Sequence, residues 1–192
     1  MKEKFINFFI IIFLGVFFST IFVVINPTLA TSQIGGMRVK SHPQFNKKFS
    51  GNTFVLDGDS LKVGGKEVRL FGLDAPEYNQ TCFNVEKKKY LCGQISREFL
   101  INLAGGKEVE CVYAEKDKYD RFLSKCFVSN GSETILINEE IVKNGMAVIY
   151  NFTESDEKMD ELEAEAKKKK LGIWQGAFQL PKDYRKANPR QK

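Results

Sequence analysis

Hydrophobic and polar positions along the chain fall into three regimes. Residues 5–25 form an almost unbroken apolar run, and residues 31–47 are polar and turn-rich, as a linker would be. From Phe49 onward the apolar positions become short and regularly interrupted. Thr53-Phe54-Val55-Leu56 and Ser60-Leu61-Lys62-Val63 read as two strands; Gly64-Gly65 then supplies a two-residue hairpin turn into a third, Glu67 to Leu73. Pro76 biases Ala75 toward an extended backbone and ends that strand. Residues 93–104 carry Ile95, Phe99, Leu100 and Leu103 at helical spacing, with Gly105-Gly106 as the stop. Two further strands are predicted near Glu108–Tyr113 and Phe122–Val128, followed by a turn at Ser129-Asn130-Gly131-Ser132. Asn138 is expected to cap a short helix that ends at Gly145. A last helix is predicted from near Ser155. Its acidic first turns and its Lys167 to Lys170 end match the helix dipole, which favours a solvated helix end over a nucleic-acid patch for the lysine run. Residues 177–192 read as a basic C-terminal tail. Five short strands with three helices inserted around them predict an α+β fold, mainly β: a small closed barrel of the OB type spanning residues 48–176.

The cysteines and the first 30 residues add a compartment. Lys2 and Lys4 precede the apolar run, and Asn26-Pro27-Thr28-Leu29-Ala30 follows it, the layout of a signal peptide cleaved after Ala30. The run is also long enough to span a bilayer, so a retained membrane anchor is the alternative. Either arrangement sends the rest of the chain across a membrane, to the periplasm or outside the cell. Cys82, Cys92, Cys111 and Cys126 all follow that segment, and their spacings do not resemble paired zinc ligands. Three disulfide connectivities are possible. The expected one is Cys82–Cys92, closing a loop, with Cys111–Cys126 joining two neighbouring strands.

Charge narrows the partners only a little. With 29 basic and 24 acidic residues the chain is net +5. Losing Lys2, Glu3 and Lys4 with a signal peptide would leave it mildly basic. That balance permits an anionic partner without demanding one.

The candidate chemistry sits between Asp57 and Glu77. Asp57-Gly58-Asp59-Ser60 and Asp74-Ala75-Pro76-Glu77 flank the apolar stretch Leu70 to Leu73, with Arg69 just before it. Carboxylates gathered in this way raise one another's pKa unless a cation neutralises them. Asp59 and Asp74 fall at strand ends and could face one cleft. Two carboxylates, a carbonyl such as that of Ala75, waters and a substrate phosphate would satisfy calcium, which takes several hard oxygen ligands in flexible geometry. Asp57-Gly58-Asp59 taken alone is equally an acidic turn. Arg69 lies in an otherwise apolar strand and needs an anionic partner. Arg121 precedes another strand, and two arginines can grip a phosphodiester and stabilise the charge of a five-coordinate transition state. Glu77 is the candidate for activating the attacking water. The single histidine, His42, falls in the linker, so histidine-based hydrolysis fits poorly.

These elements together resemble the staphylococcal nuclease (thermonuclease) family over roughly residues 48–176. The matching stretches are Val55 to Ser60, Arg69 to Glu77, Asp117-Lys118-Tyr119-Asp120-Arg121, Asn138 to Ala147, and Ala164 through Leu171-Gly172-Ile173-Trp174. The resemblance implies an OB-fold barrel and calcium-dependent hydrolysis of DNA and RNA with little sequence specificity. Unpaired strands would be preferred, water would attack phosphorus in line, and 3′-phosphate ends would remain. By position it implies Asp59, Asp74 and the Ala75 carbonyl as calcium ligands, with Asp57 close to the metal. It implies Arg69 and Arg121 on the phosphate, Glu77 as general base, Lys118 and Tyr119 on a nucleotide phosphate, and Tyr150 stacking on a base. A monomer is expected, with a membrane as partner only if residues 5–25 are retained. The alternative is a non-catalytic OB-fold module that binds nucleic acid or protein. Two departures stand out: Ala75 replaces a threonine of the best-known member, and the loop from Tyr78 to Gly93 carries its own cysteine pair. The segment Phe178 to Arg185 resembles extensions in exported relatives.

Overall fold

The structure is a computed structural model that describes residues 44–150 and 156–189. The predicted signal peptide or anchor, the linker up to residue 43, and Ser155 lie outside the described residues.

A long first strand, β1 (Lys47–Asp57), organises the barrel and begins one residue inside the stretch read as linker. Its first half pairs antiparallel with β7 (Glu108–Lys116) and its second half with β2 (Ser60–Val63). The Gly64-Gly65 hairpin forms as expected, setting Val63 opposite Lys66 in β3 (Lys66–Leu70). β8 (Phe122–Asn130) runs antiparallel to β7 and parallel to β3, matching Arg69 with Leu123. That parallel pairing closes β3-β2-β1-β7-β8 into a five-stranded barrel. Inward-facing Leu61, Val63, Val68, Leu70, Val109, Cys111, Cys126 and Val128 fill it, all nearly inaccessible to solvent. Each large aliphatic among them contributes about 1.5–3 kcal/mol by burial.

The strands differ from the sequence expectation in several places. β9 (Glu133–Leu136) adds a sixth strand outside β8, four residues long and directly continued by the helix that starts at Ile137. The predicted strand Glu67–Leu73 is broken. Gly72 adopts φ +83°, a conformation open to glycine at little cost, and turns the chain out of the main sheet. Residues Leu73–Asp74 then form β4, which pairs with β10 (Val148–Ile149).

Three helices pack on the barrel. α1 (Cys92–Ala104) turns Cys92, Gly93, Ser96, Leu100 and Ala104 inward, while Ile95, read as part of the apolar face, is 43% exposed. α2 (Ile137–Lys143) and α3 (Glu157–Lys169) contact each other, and Met159, Leu162 and Ala166 of α3 reach the core. Asn138 is not the cap it was expected to be. It lies inside α2, buried, and its side chain joins helix to barrel: its Oδ1 accepts from Cys126 N (3.0 Å), while its Nδ2 donates to Phe71 O (2.9 Å) and Ser124 O (3.1 Å). The end of α3 is solvated as expected, with Lys167 and Lys169 paired to Glu163 and Glu165 one turn back.

The tail is a folded element. After a 3-10 turn, Gly172–Gln175, the chain runs back over the loop between β4 and α1. That loop contains the short strands β5 (Cys82–Phe83) and β6 (Lys89–Tyr90). The chain then forms a fourth helix, α4 (Pro181–Ala187), with Pro181 at its first turn.

Candidate active site

The β1–β2 turn carries Asp59, and strand β4 carries Asp74, to the same end of the barrel. Asp59 is 3% and Asp74 1% exposed. Burying two carboxylates side by side is costly unless each is paired. Arg69 supplies the pairing: Nη1 bonds Asp59 Oδ1 and Nη2 bonds Asp74 Oδ1 at 2.7 Å. The other Asp59 oxygen accepts from Ala75 N (2.9 Å), and Ser60 Oγ donates to Oδ1 (2.9 Å). Burial is the largest influence on Asp59 and pushes its carboxyl up, against the pull of Arg69, the Ala75 amide and the Ser60 hydroxyl. Burial works against the Arg69 charge too, but the two aspartates prevail and hold its pKa above the ordinary arginine value.

Asp57 closes β1 beside this pair. Burial pushes its carboxyl up to about 6, opposed by the Gly58 amide and reinforced by the charges of Asp59 and Glu77. Arg121 arrives from the β7–β8 turn: it is clamped by Asp117, and its Nη1 lies 3.4 Å from Ser60 Oγ, next to Asp59. Tyr119 is 67% exposed beneath it, with the Arg121 guanidinium 5.5 Å and Lys118 Nζ 5.0 Å from its ring centre. Tyr150 hangs from the turn at Gly72 by a 2.9 Å backbone bond. It lines a cleft of about 420 Å³ together with Asp74, Lys167, Trp174, Leu180 and Lys182. Thus Asp57, Asp59, Arg69, Asp74, Ala75 and Glu77 share one neighbourhood, with Arg121 at its edge through Ser60. Lys118 and Tyr119 extend it on the Arg121 side, and Tyr150 borders the cleft on the Asp74 side.

One residue of the site was missed. Arg185 of α4 donates from Nη1 to Asp74 Oδ1 and Glu77 Oε1, and from Nη2 to Asp74 Oδ2, each at 2.9 Å. Its hydrogen bond to Asp74 is the chief reason its pKa is raised above the usual arginine range. Pro181 at a helix start could have revealed α4, but no local pattern ties Arg185 to residues so far back in the chain.

The donor chemistry of the cluster suits a hard divalent cation. Asp59 and Asp74 converge on one organic cation, the Arg69 guanidinium, and their carboxylate oxygens are the hard donors that a divalent cation takes. Among the described residues no group of three or more His, Cys, Asp or Glu side chains is gathered as a metal cage. A cation here would therefore draw on backbone, water or substrate oxygens as well. Both expected disulfides are present, Cys82–Cys92 and Cys111–Cys126, and no described cysteine is free.

The fold and site thus define a closed OB-type barrel with an arginine-bridged carboxylate pair at one end. The chain belongs to the family described as staphylococcal nuclease homologue, which it matches over residues 67–176. That stretch includes Arg69, Asp74, Glu77 and Arg121, while Asp57 and Asp59 precede it and are tied to it by the β2–β3 hairpin. Its relatives include the succinoglycan biosynthesis protein ExoI of Rhizobium meliloti, 31% identical over 125 residues, or 65% of this chain and 63% of that protein. An uncharacterized endonuclease of Escherichia coli O157:H7 is 30% identical over 66% of this chain and 77% of its own length. Micrococcal nuclease of Shigella flexneri is 33% identical over 62% of this chain and 70% of its own. The chain thus spans less than two thirds of the first of these relatives.

Proposed function

We propose that the protein is an exported, calcium-dependent nuclease that hydrolyses phosphodiesters of DNA and RNA with little sequence preference. The observation that carries this reading is the buried pair Asp59 and Asp74 joined by Arg69, with Glu77 in the same network and Arg121 beside it. Asp59, Asp74 and the Ala75 carbonyl would hold the calcium, with Asp57 nearby. Bound there, the ion would supply positive charge to a phosphoryl oxygen and so stabilise the transition state.

The chain's own groups account for the rest. Arg69 and Arg121 hold the phosphate from two sides, and their fixed forks oppose charge growing on its equatorial oxygens. Glu77 accepts a proton from the attacking water, which approaches phosphorus in line with the departing 5′-oxygen and leaves a 3′-phosphate. Lys118 and Tyr119 border the Arg121 side, where an adjoining phosphate would lie. Tyr150 offers a ring for a base, which favours single-stranded or unpaired regions. One copy contains every residue invoked, so a monomer suffices. Two disulfides support a compartment outside the cytoplasm.

The test uses purified protein and end-labelled single-stranded DNA and RNA, with calcium and then with excess chelator. Cleavage that needs calcium and leaves 3′-phosphates is the expected result. Binding without cleavage at saturating calcium would replace this reading with a non-catalytic OB-fold module.

A further inference from the structure

The C-terminal segment is fixed to the loop that follows Glu77 by a series of contacts. Ala177 O accepts from Phe83 N (2.8 Å), and Phe178 packs edge-on against Trp174 with ring centres 5.0 Å apart. Gly176 lies so close to that loop that a Cβ would come within 2.0 Å of Phe83 O, a contact open to glycine alone. Gln80, fully buried, donates to Gln179 O at 2.6 Å, while its Oε1 accepts from Glu77 N at 3.2 Å. Tyr184 Oη donates to Asn79 O (3.2 Å). The Cys82–Cys92 disulfide closes the loop that makes these contacts. Arg185 is thereby delivered to Asp74 and Glu77 from a braced position, one turn after buried Pro181.

The guanidinium lies along both oxygens of Asp74 and reaches one oxygen of Glu77. Asp74 Oδ1 already accepts from Arg69. A cation that takes Asp74 as a ligand therefore competes with the Arg185 guanidinium, which lies against both of its oxygens. The bond from Arg185 to Glu77 does not conflict with such ligation, and it holds that carboxylate at a fixed distance from Asp74. We propose that Arg185 is a positioning residue of the active site: it covers the ligating edge of Asp74 and competes there with a metal ion, and it orients Glu77 for turnover. The inference rests on the reading of Asp74 as a metal ligand and Glu77 as the base.

Two opposite effects follow from removing this side chain. Loss of one positive charge and of the cover on Asp74 raises cation affinity, since an opposed charge at contact distance acts strongly in a partly buried site. Loss of the bond to Glu77 lowers turnover, since a displaced base is an inefficient one. A merely structural role for the tail would depress both together.

The experiment compares the full chain with Arg185→Gln, Arg185→Lys and Lys186→Ala. Calcium affinity is read by calorimetry without nucleic acid, kcat at saturating calcium, and folding by thermal melting. Arg185→Gln should bind calcium about tenfold more tightly and turn over about tenfold more slowly. Arg185→Lys keeps the charge but cannot span both carboxylates, and should fall between. Lys186→Ala removes the same charge from the same helix and should change affinity less than threefold. Unchanged or weaker calcium binding in Arg185→Gln, or an equal gain in Lys186→Ala, overturns the inference while leaving the nuclease reading intact. A wild-type chain that neither binds calcium nor cleaves with it overturns both.

Discussion

Asp117 holds Arg121 by three donors at once: the Arg121 backbone N at 3.0 Å, Nε at 2.8 Å and Nη2 at 2.6 Å, leaving Nη1 turned toward Ser60. The aspartate therefore orients the guanidinium proposed to hold phosphate, without needing to touch substrate itself. Burial pushes the Asp117 carboxyl up, but hydrogen bonds from the Arg121 side chain and from the Arg121 and Tyr119 amides outweigh it, and the pKa is lowered from 3.8. A carboxyl lowered on folding adds stability above its unfolded pKa and loses it as pH falls through the folded value. Asp117→Asn should thus be less stable than wild type at pH 7, and the gap should close as pH drops below about 4. Urea midpoints across that range check it; a gap that stays constant would assign the stability difference to something other than the charge.

Glu77→Gln keeps a group able to accept from Arg185 but removes the basic carboxylate. Turnover should fall by about 10²–10⁴-fold with melting temperature little changed, the range expected for a general base. Single-turnover cleavage at saturating calcium checks it, and a loss below about tenfold would take Glu77 out of that role.

Asn138→Ala strands a barrel amide at Cys126 and removes a donor from Phe71 O and Ser124 O, all at the junction of α2 and β8. The loss should be about 3 kcal/mol, because a buried amide left unpaired carries its full desolvation cost. Chemical denaturation measures it. The folded fraction should retain wild-type kcat, since the Asn138 side chain bonds to Cys126, Phe71 and Ser124 rather than to the acidic cluster.

The two disulfides should separate stability from activity. Replacing Cys111 and Cys126 together opens a cross-link with sequence separation 15 and should cost about 3 kcal/mol, with turnover of the folded protein preserved. Replacing Cys82 and Cys92 loosens the loop that braces Arg185, and should lower turnover by a larger factor than the first pair does. Paired melting curves and kcat values decide the matter.

Much of the site was legible because it is local. Asp57, Asp59, Arg69, Asp74 and Glu77 lie within 21 residues on consecutive strands and the turns between them, and a β-hairpin leaves little freedom in how those segments meet. The five-stranded barrel was legible for the same reason, through short alternating segments with a Gly-Gly turn between two of them. The parts that escaped are those decided by distant partners. Asn138 precedes an apolar run and so resembles a cap, yet the barrel claims its side chain. Gly72 interrupts an apolar segment, and its turn shows only once β10 is available to pair with β4. Arg185 sits among Lys182, Lys186 and Arg190, where composition suggests a solvated tail. Its partner Asp74 is 111 positions away.

The parallel seam between β3 and β8 has a consequence for when the protein becomes active. Arg69 lies on that seam, opposite Leu123, and Arg121 enters just before the strand that completes it. Contacts this distant in sequence form late, after the intervening chain has been ordered. A chain whose seam has not formed therefore has Arg69 and its acidic residues but lacks Arg121 beside them. On the proposed function, the chain would stay inactive until the barrel shuts, with folding itself serving as the safety catch.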